Sequence, residues 1–162
     1  MDKLYRYIYL ICCVFFLSCF QNIVNASVLQ GKVVRVLDGD TIVVLQGQNP
    51  VKVRLSNIDA PEKKQSFGRW SSDQLKRLVA GQPVTVVFTH TDRYERVLGR
   101  VFNSSGKEAN REQVLSGAAW VYVHYNTDIE LPGLQLEAQK QKRGLWAENQ
   151  PVPPWEWRHK HN

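Results

Sequence analysis

The sequence runs to 162 residues, 43% of them apolar, with 21 Lys and Arg against 15 Asp and Glu for a formal net charge of +6. That length suits one domain with a sizeable core, and the positive surplus favours a polyanionic partner. All three cysteines, Cys12, Cys13 and Cys19, fall within the first 26 residues, which excludes a disulfide framework or a thiolate metal site from the rest of the chain.

Lys3 and Arg6 form a short basic start, and Tyr7 to Leu17 is an unbroken apolar run. Val24-Asn25-Ala26 then supplies the positions that a signal peptidase reads. The run is too short to span a bilayer as a permanent helix. Residues 1–26 therefore read as a cleaved signal peptide, with Ser27 as the new N-terminus, a secreted or periplasmic product and no membrane span in the mature form. The alternative is a lipoprotein anchored at Cys19 through Phe16-Leu17-Ser18-Cys19.

Val28 to Leu37 alternates loosely and is rich in valine, as a half-buried strand is. Asp38-Gly39 turns the chain, Thr41 to Leu45 returns, and Gln46 to Pro50 is a second turn before a strand from Val51 to Leu55. Ser56 to Glu62 leaves this meander, and Pro61 holds Ala60 out of the helical region. Trp70 to Val79 carries a helical apolar stripe that Gly81-Gln82-Pro83 stops. Val84 to Thr89 and Val97 to Phe102 are valine-rich strands separated by the charged run Thr91 to Arg96. Asn110 to Ser116 is a short helix closed by Gly117. Pro132 to Arg143 is a last helix, with proline near its start and Gly144 past its end.

Five strands, one helix after the third and more after the fifth predict an α+β fold: a small closed β-barrel with about three helices over residues 27–147. Residues 148–162 are a basic tail rich in proline and tryptophan, with Pro151 to Trp157 expected to be extended. Trp155 and Trp157 either fold back onto the barrel or trail from it.

Acids and arginines gather at predicted strand edges. Asp38 and Asp40 lie at the first turn, Arg54 near the end of the third strand, Asp59 and Glu62 in the loop after it, and Arg96 at the start of the fifth. Lys52 and Arg54 share one strand face, which taken alone is the solvated side of an edge strand. If the group converges, it meets the needs of phosphodiester cleavage. Paired carboxylates suit a hard cation such as Ca²⁺, a further carboxylate can activate water, and arginines grip phosphate oxygens.

The segments VLDGDT, VRLSNIDAPE and TDRYERVLGRV, in that order and with LEAQKQKRGLW near the end, resemble the staphylococcal nuclease (thermonuclease) family. The resemblance covers about Val28 to Trp146. It implies an OB-fold barrel with helices and Ca²⁺-dependent hydrolysis of DNA and RNA. Little sequence specificity and faster attack on single strands are expected because barrel grooves accept splayed bases, and the sequence makes no obligate protein partner evident. The resemblance also assigns Asp40 and Asp59 as metal ligands with the Ala60 backbone carbonyl. Glu62 becomes the acid that handles the attacking water, and Arg54 and Arg96 the phosphate-gripping arginines. Asp38 becomes a nearby acid that does not ligate. Arg93, Tyr94 and Tyr125 become substrate contacts.

One departure stands out: Glu95 lies where the family carries glycine, between Tyr94 and Arg96. The rival reading is a non-catalytic nucleic-acid-binding module of OB type. A weaker third, an adhesive role, has only Trp155 and Trp157 behind it. His90 and His124 read as ordinary histidines.

Overall fold

The computed structural model describes residues 26–161; the expected signal peptide and Cys19 lie outside the described residues. Seven strands occur among them: β1 (Ser27–Val36), β2 (Thr41–Gln46), β3 (Asn49–Leu55), β4 (Ile58–Asp59), β5 (Pro83–Thr91), β6 (Val97–Asn103) and β7 (Trp120–Val121). Five close into a barrel in the order β1-β2-β3-β6-β5, with β5 returning to pair with β1. Every barrel pairing is antiparallel except β3 with β6. This is the OB-type barrel that was expected. The two-residue pairing of β4 with β7 was not anticipated; it is too short to leave a periodic trace in the sequence.

The valine-rich runs become the barrel interior. Val33, Ile42, Val44, Val53, Leu55, Val86 and Val101 are fully buried, and Leu75, Val79 and Val114 from two helices seal the core with them. β-Branched side chains suit this surface because their stiff χ1 matches the pleat.

Four α-helices lie among the described residues, where about three were expected: α1 (Gly68–Val79), α2 (Ala109–Leu115), α3 (Leu131–Lys140) and α4 (Pro154–His161). The addition, α4, corrects the expectation of an extended tail. Proline fits the first turn of a helix because its missing N–H has no partner to lose there. The N–H groups of Glu156 and Trp157 donate to the Pro153 carbonyl, both near 3.0 Å (3.1 and 3.0 Å). Trp155 folds back, its ring 5.8 Å from Trp120 and 5.5 Å from Tyr122. Trp157 instead stacks on His161 of its own helix.

Two buried amides tie the helices to the barrel. On α2, Asn110 accepts from the Val101 N–H at 3.0 Å and donates to the carbonyls of Ser56 and Gly99 at 2.9 and 3.2 Å. Gln113, one turn on, donates to the carbonyls of Gly39 and Ser71 at 2.7 and 3.1 Å. Gly39 is glycine because of crowding: a Cβ there would stand 1.9 Å from Ser71 Oγ and 2.7 Å from Ala60 Cβ.

The β5–β6 turn is closed by the Asp92 N–H donating to the Arg96 carbonyl and the Glu95 N–H to the Asp92 carbonyl. Glu95 adopts φ 59°, the left-handed region that glycine occupies without cost.

Two stability measurements check this description. Asn110→Ala strands the Val101 N–H in the core and should lower unfolding free energy by about 2 kcal/mol in urea titration; a loss under about 0.5 kcal/mol contradicts the keystone role. Glu95→Gly should raise stability by about 1 kcal/mol through relief of the left-handed backbone, and a lower midpoint contradicts it.

Candidate active site

The site is built where β2, β3 and β4 meet. Thr41 pairs with Arg54 across β2 and β3, and the Leu55 N–H donates to the Asp40 carbonyl at 2.8 Å. The first turn therefore sits directly against the end of β3. Asp38 Oδ1 accepts from the Asp40 N–H at 3.1 Å, closing the bend, and the Gln113 contact to the Gly39 carbonyl fixes the bend from behind.

Asp40 and Asp59 are both buried, at 6% and 2% exposure, and both reach the same nitrogen. Arg54 Nη2 lies 3.2 Å from Asp40 Oδ2 and 2.9 Å from Asp59 Oδ1. Arg54 Nη1 donates to the carbonyls of Leu55 and Ile58 at 2.7 and 2.9 Å, which locks the plane of the guanidinium. Asp40 is held further by the Ala60 N–H at 2.7 Å and by the Thr41 hydroxyl at 2.9 Å. Arg54 is thus not a solvated edge-strand residue: the 56–59 segment folds over it and leaves its side chain 12% exposed.

Burial, then the neighbouring Asp40, pushes the Asp38 carboxyl up to about 7. Burial also raises Asp59, with Asp40 adding to it, although Arg158 and Arg54 oppose the shift. Burial and the repulsion between neighbouring carboxylates therefore disfavour the charged forms of both acids.

Glu62 stands at the open side, its side chain 38% exposed. Its backbone N–H donates to Gln65 Oε1 at 3.1 Å, and the Gln65 N–H donates back to the Glu62 carbonyl at 2.8 Å. Arg96 is paired with Asp92. β6 runs beside β3, with Val97 paired to Val53, but the Arg96 guanidinium is held by Asp92 at 2.7 and 2.8 Å. Partial burial works against ionisation of Asp92, but the N–H and guanidinium of Arg96 hold its carboxyl below the usual range. Tyr94 is exposed at the turn, with the guanidinium carbons of Arg93 and Arg96 4.8 and 5.5 Å from its ring centroid. Tyr125 is also exposed, its ring 4.9 Å from Tyr122.

The donor set fits a hard divalent cation. Two carboxylates converge on one point, both are oxygen donors, and both sit where burial penalises uncompensated negative charge. Among the described residues no third acid, His or Cys joins them as a ready-made cage, so a backbone carbonyl, water and phosphate would complete the shell.

One cation of the site was not foreseen. Arg158 on α4 donates from Nη2 to Asp59 Oδ2 at 2.7 Å and from Nη1 to Glu62 Oε1 at 2.8 Å. It lies 99 residues from Asp59, and its neighbours Trp157 and His159 give it no local signal beyond a basic tail. Gln113 was missed for the same reason, since its partner Gly39 is 74 residues away.

Comparison with known proteins places this geometry in context. Residues 52–148 match the family model described as staphylococcal nuclease homologue. The chain is similar to an uncharacterized endonuclease of Escherichia coli, 58% identical over 132 residues that cover 82% of this chain and 86% of the relative. It is similar to an uncharacterized endonuclease of Haemophilus influenzae, 41% identical over 128 residues, 78% of this chain and 71% of the relative. Similarity to the micrococcal nuclease of Shigella flexneri is 39% over 139 residues, 80% of each chain. With a matching model over more than half its length and these relatives along most of it, the chain belongs to the staphylococcal nuclease homologue family.

Proposed function

We propose that the chain is an exported, calcium-dependent nuclease that hydrolyses phosphodiester bonds of DNA and RNA with little sequence specificity. The observation that carries this reading is the convergence of Asp40 and Asp59 on Arg54, with Glu62 joined to Asp59 at the open side through Arg158. The family's named nucleases and endonucleases support it.

Asp40 and Asp59 would hold the cation together with the Ala60 carbonyl, and when bound it would offset the charge of the scissile phosphate. Glu62 takes the proton of the attacking water as the water oxygen bonds to phosphorus and the bond to the leaving sugar oxygen breaks. Arg54, its plane held by the Leu55 and Ile58 carbonyls, would turn Nη2 from Asp40 and Asp59 to the growing negative charge once the cation shares those carboxylates. Arg96 serves the other phosphate oxygens by exchanging Asp92 for phosphate. Arg93, Tyr94 and Tyr125 present charge and aromatic faces that take any base, which accounts for low specificity and a preference for unpaired strands. Export follows from the apolar N-terminal run and is part of the same proposal. No helix among the described residues is long and apolar enough to cross a membrane.

Purified protein should cleave single-stranded DNA in Ca²⁺ and stop when a chelator is added. Binding without cleavage in both conditions would leave only a nucleic-acid clasp. Glu62→Gln should lower the cleavage rate by about 10²- to 10⁴-fold with an unchanged melting temperature, because Glu62 is half-exposed and outside the core. Wild-type turnover in that variant would remove it from the mechanism.

A further inference from the structure

The C-terminal segment lies across the mouth of the site. The Val152 carbonyl accepts from Gln65 Nε2 at 2.6 Å, and Glu148 accepts from the Ser66 hydroxyl. Both contacts anchor it to the loop that carries Glu62. Trp155 then stacks on Tyr122 with its ring 9° from parallel. Arg158 closes the path on Asp59 and Glu62.

We infer that α4 is an inhibitory strap: Arg158 occupies the carboxylate oxygens needed by an incoming cation, and the strap must swing out before the site can work. The inference rests on the cation site proposed above, through the following charge argument. Asp59 already accepts Arg54 on Oδ1, and Arg158 takes Oδ2 as well as Glu62 Oε1. That leaves no oxygen of Asp59 without a cationic donor and ties up the acid assigned to the water. A divalent ion bound to Asp59 would lie within a few ångströms of the Arg158 guanidinium, so the two occupancies repel and exclude each other. Trp155 meanwhile covers one face of Tyr122, the aromatic ring beside Tyr125.

The strap is built to leave. α4 is only eight residues long, too short to be stable as a helix on its own, and Arg158 keeps a third of its side chain in solvent. Its hold is a few polar contacts, the stack on Tyr122, an edge contact with Trp120 and the buried Pro154, and ion binding must work against these. Apparent affinity for the ion is then the intrinsic affinity reduced by the fraction of molecules with the strap open.

Calcium affinity measured by titration calorimetry on the full chain tests this without relying on turnover. Arg158→Gln should keep the wild-type circular dichroism and bind Ca²⁺ about tenfold tighter, whereas Lys160→Ala, exposed on the same helix, should match wild type on both counts. In wild type, hydrogen exchange at the α4 amides should speed up when Ca²⁺ is added. Equal or weaker Ca²⁺ binding by Arg158→Gln overturns the strap and leaves the cation site standing. No Ca²⁺ binding by any of the three proteins overturns the cation site, and the strap falls with it.

Discussion

Two buried carboxylates held side by side are the constraint around which the rest of this protein is arranged. Asp40 and Asp59 lose hydration on folding, and their mutual repulsion makes that loss worse, so the fold must bring positive charge to them. Arg54 does so with a single nitrogen between them. That nitrogen can be there only because Thr41 is in register with Arg54 and because two carbonyls immobilise the other end of the guanidinium. The tight Gly39 bend and the Gln113 amide on α2 serve the same end from behind. The barrel frames the site, and the site accounts for the buried Asp40, Thr41 and Asp59.

The same constraint explains why the mouth attracts whatever cation is near. One guanidinium balances two acids incompletely, and Glu62 adds a third negative group on the solvent side. On the proposed reading a hard ion would answer this excess with the charge density that phosphodiester chemistry needs. Arg158 answers it with a side chain from the end of the same polypeptide. Function and restraint therefore compete for the same oxygen atoms, and the balance between them is set by a helix with little stability of its own.

Much of this was legible in the sequence because it is written locally. The valine-rich strands, their turns and the α1 stripe follow short-range periodicity and turn chemistry, and the barrel closed as expected. The three motifs pointed to Asp40, Arg54, Asp59 and Glu62, and the structure brings these four to one place. What the sequence did not disclose is long-range. The β4–β7 pairing is two residues long. Gln113 and Arg158 act on partners many tens of residues away, and α4 forms where its prolines argued for extended chain, because Trp155 finds a ring to pack on. Glu95 is a different case: the residue looked wrong for the turn, and it adopts there the left-handed backbone that glycine takes without cost. Arg96 pairs with Asp92, a contact that residue spacing alone did not reveal.

The most direct measurement of the central claim is a crystal structure of the full chain grown with Ca²⁺. Asp40 and Asp59 should hold the ion, with Arg54 still fixed to the Leu55 and Ile58 carbonyls and Arg158 withdrawn from Asp59. An ion bound elsewhere, or the two carboxylates turned apart with no ion between them, would contradict it.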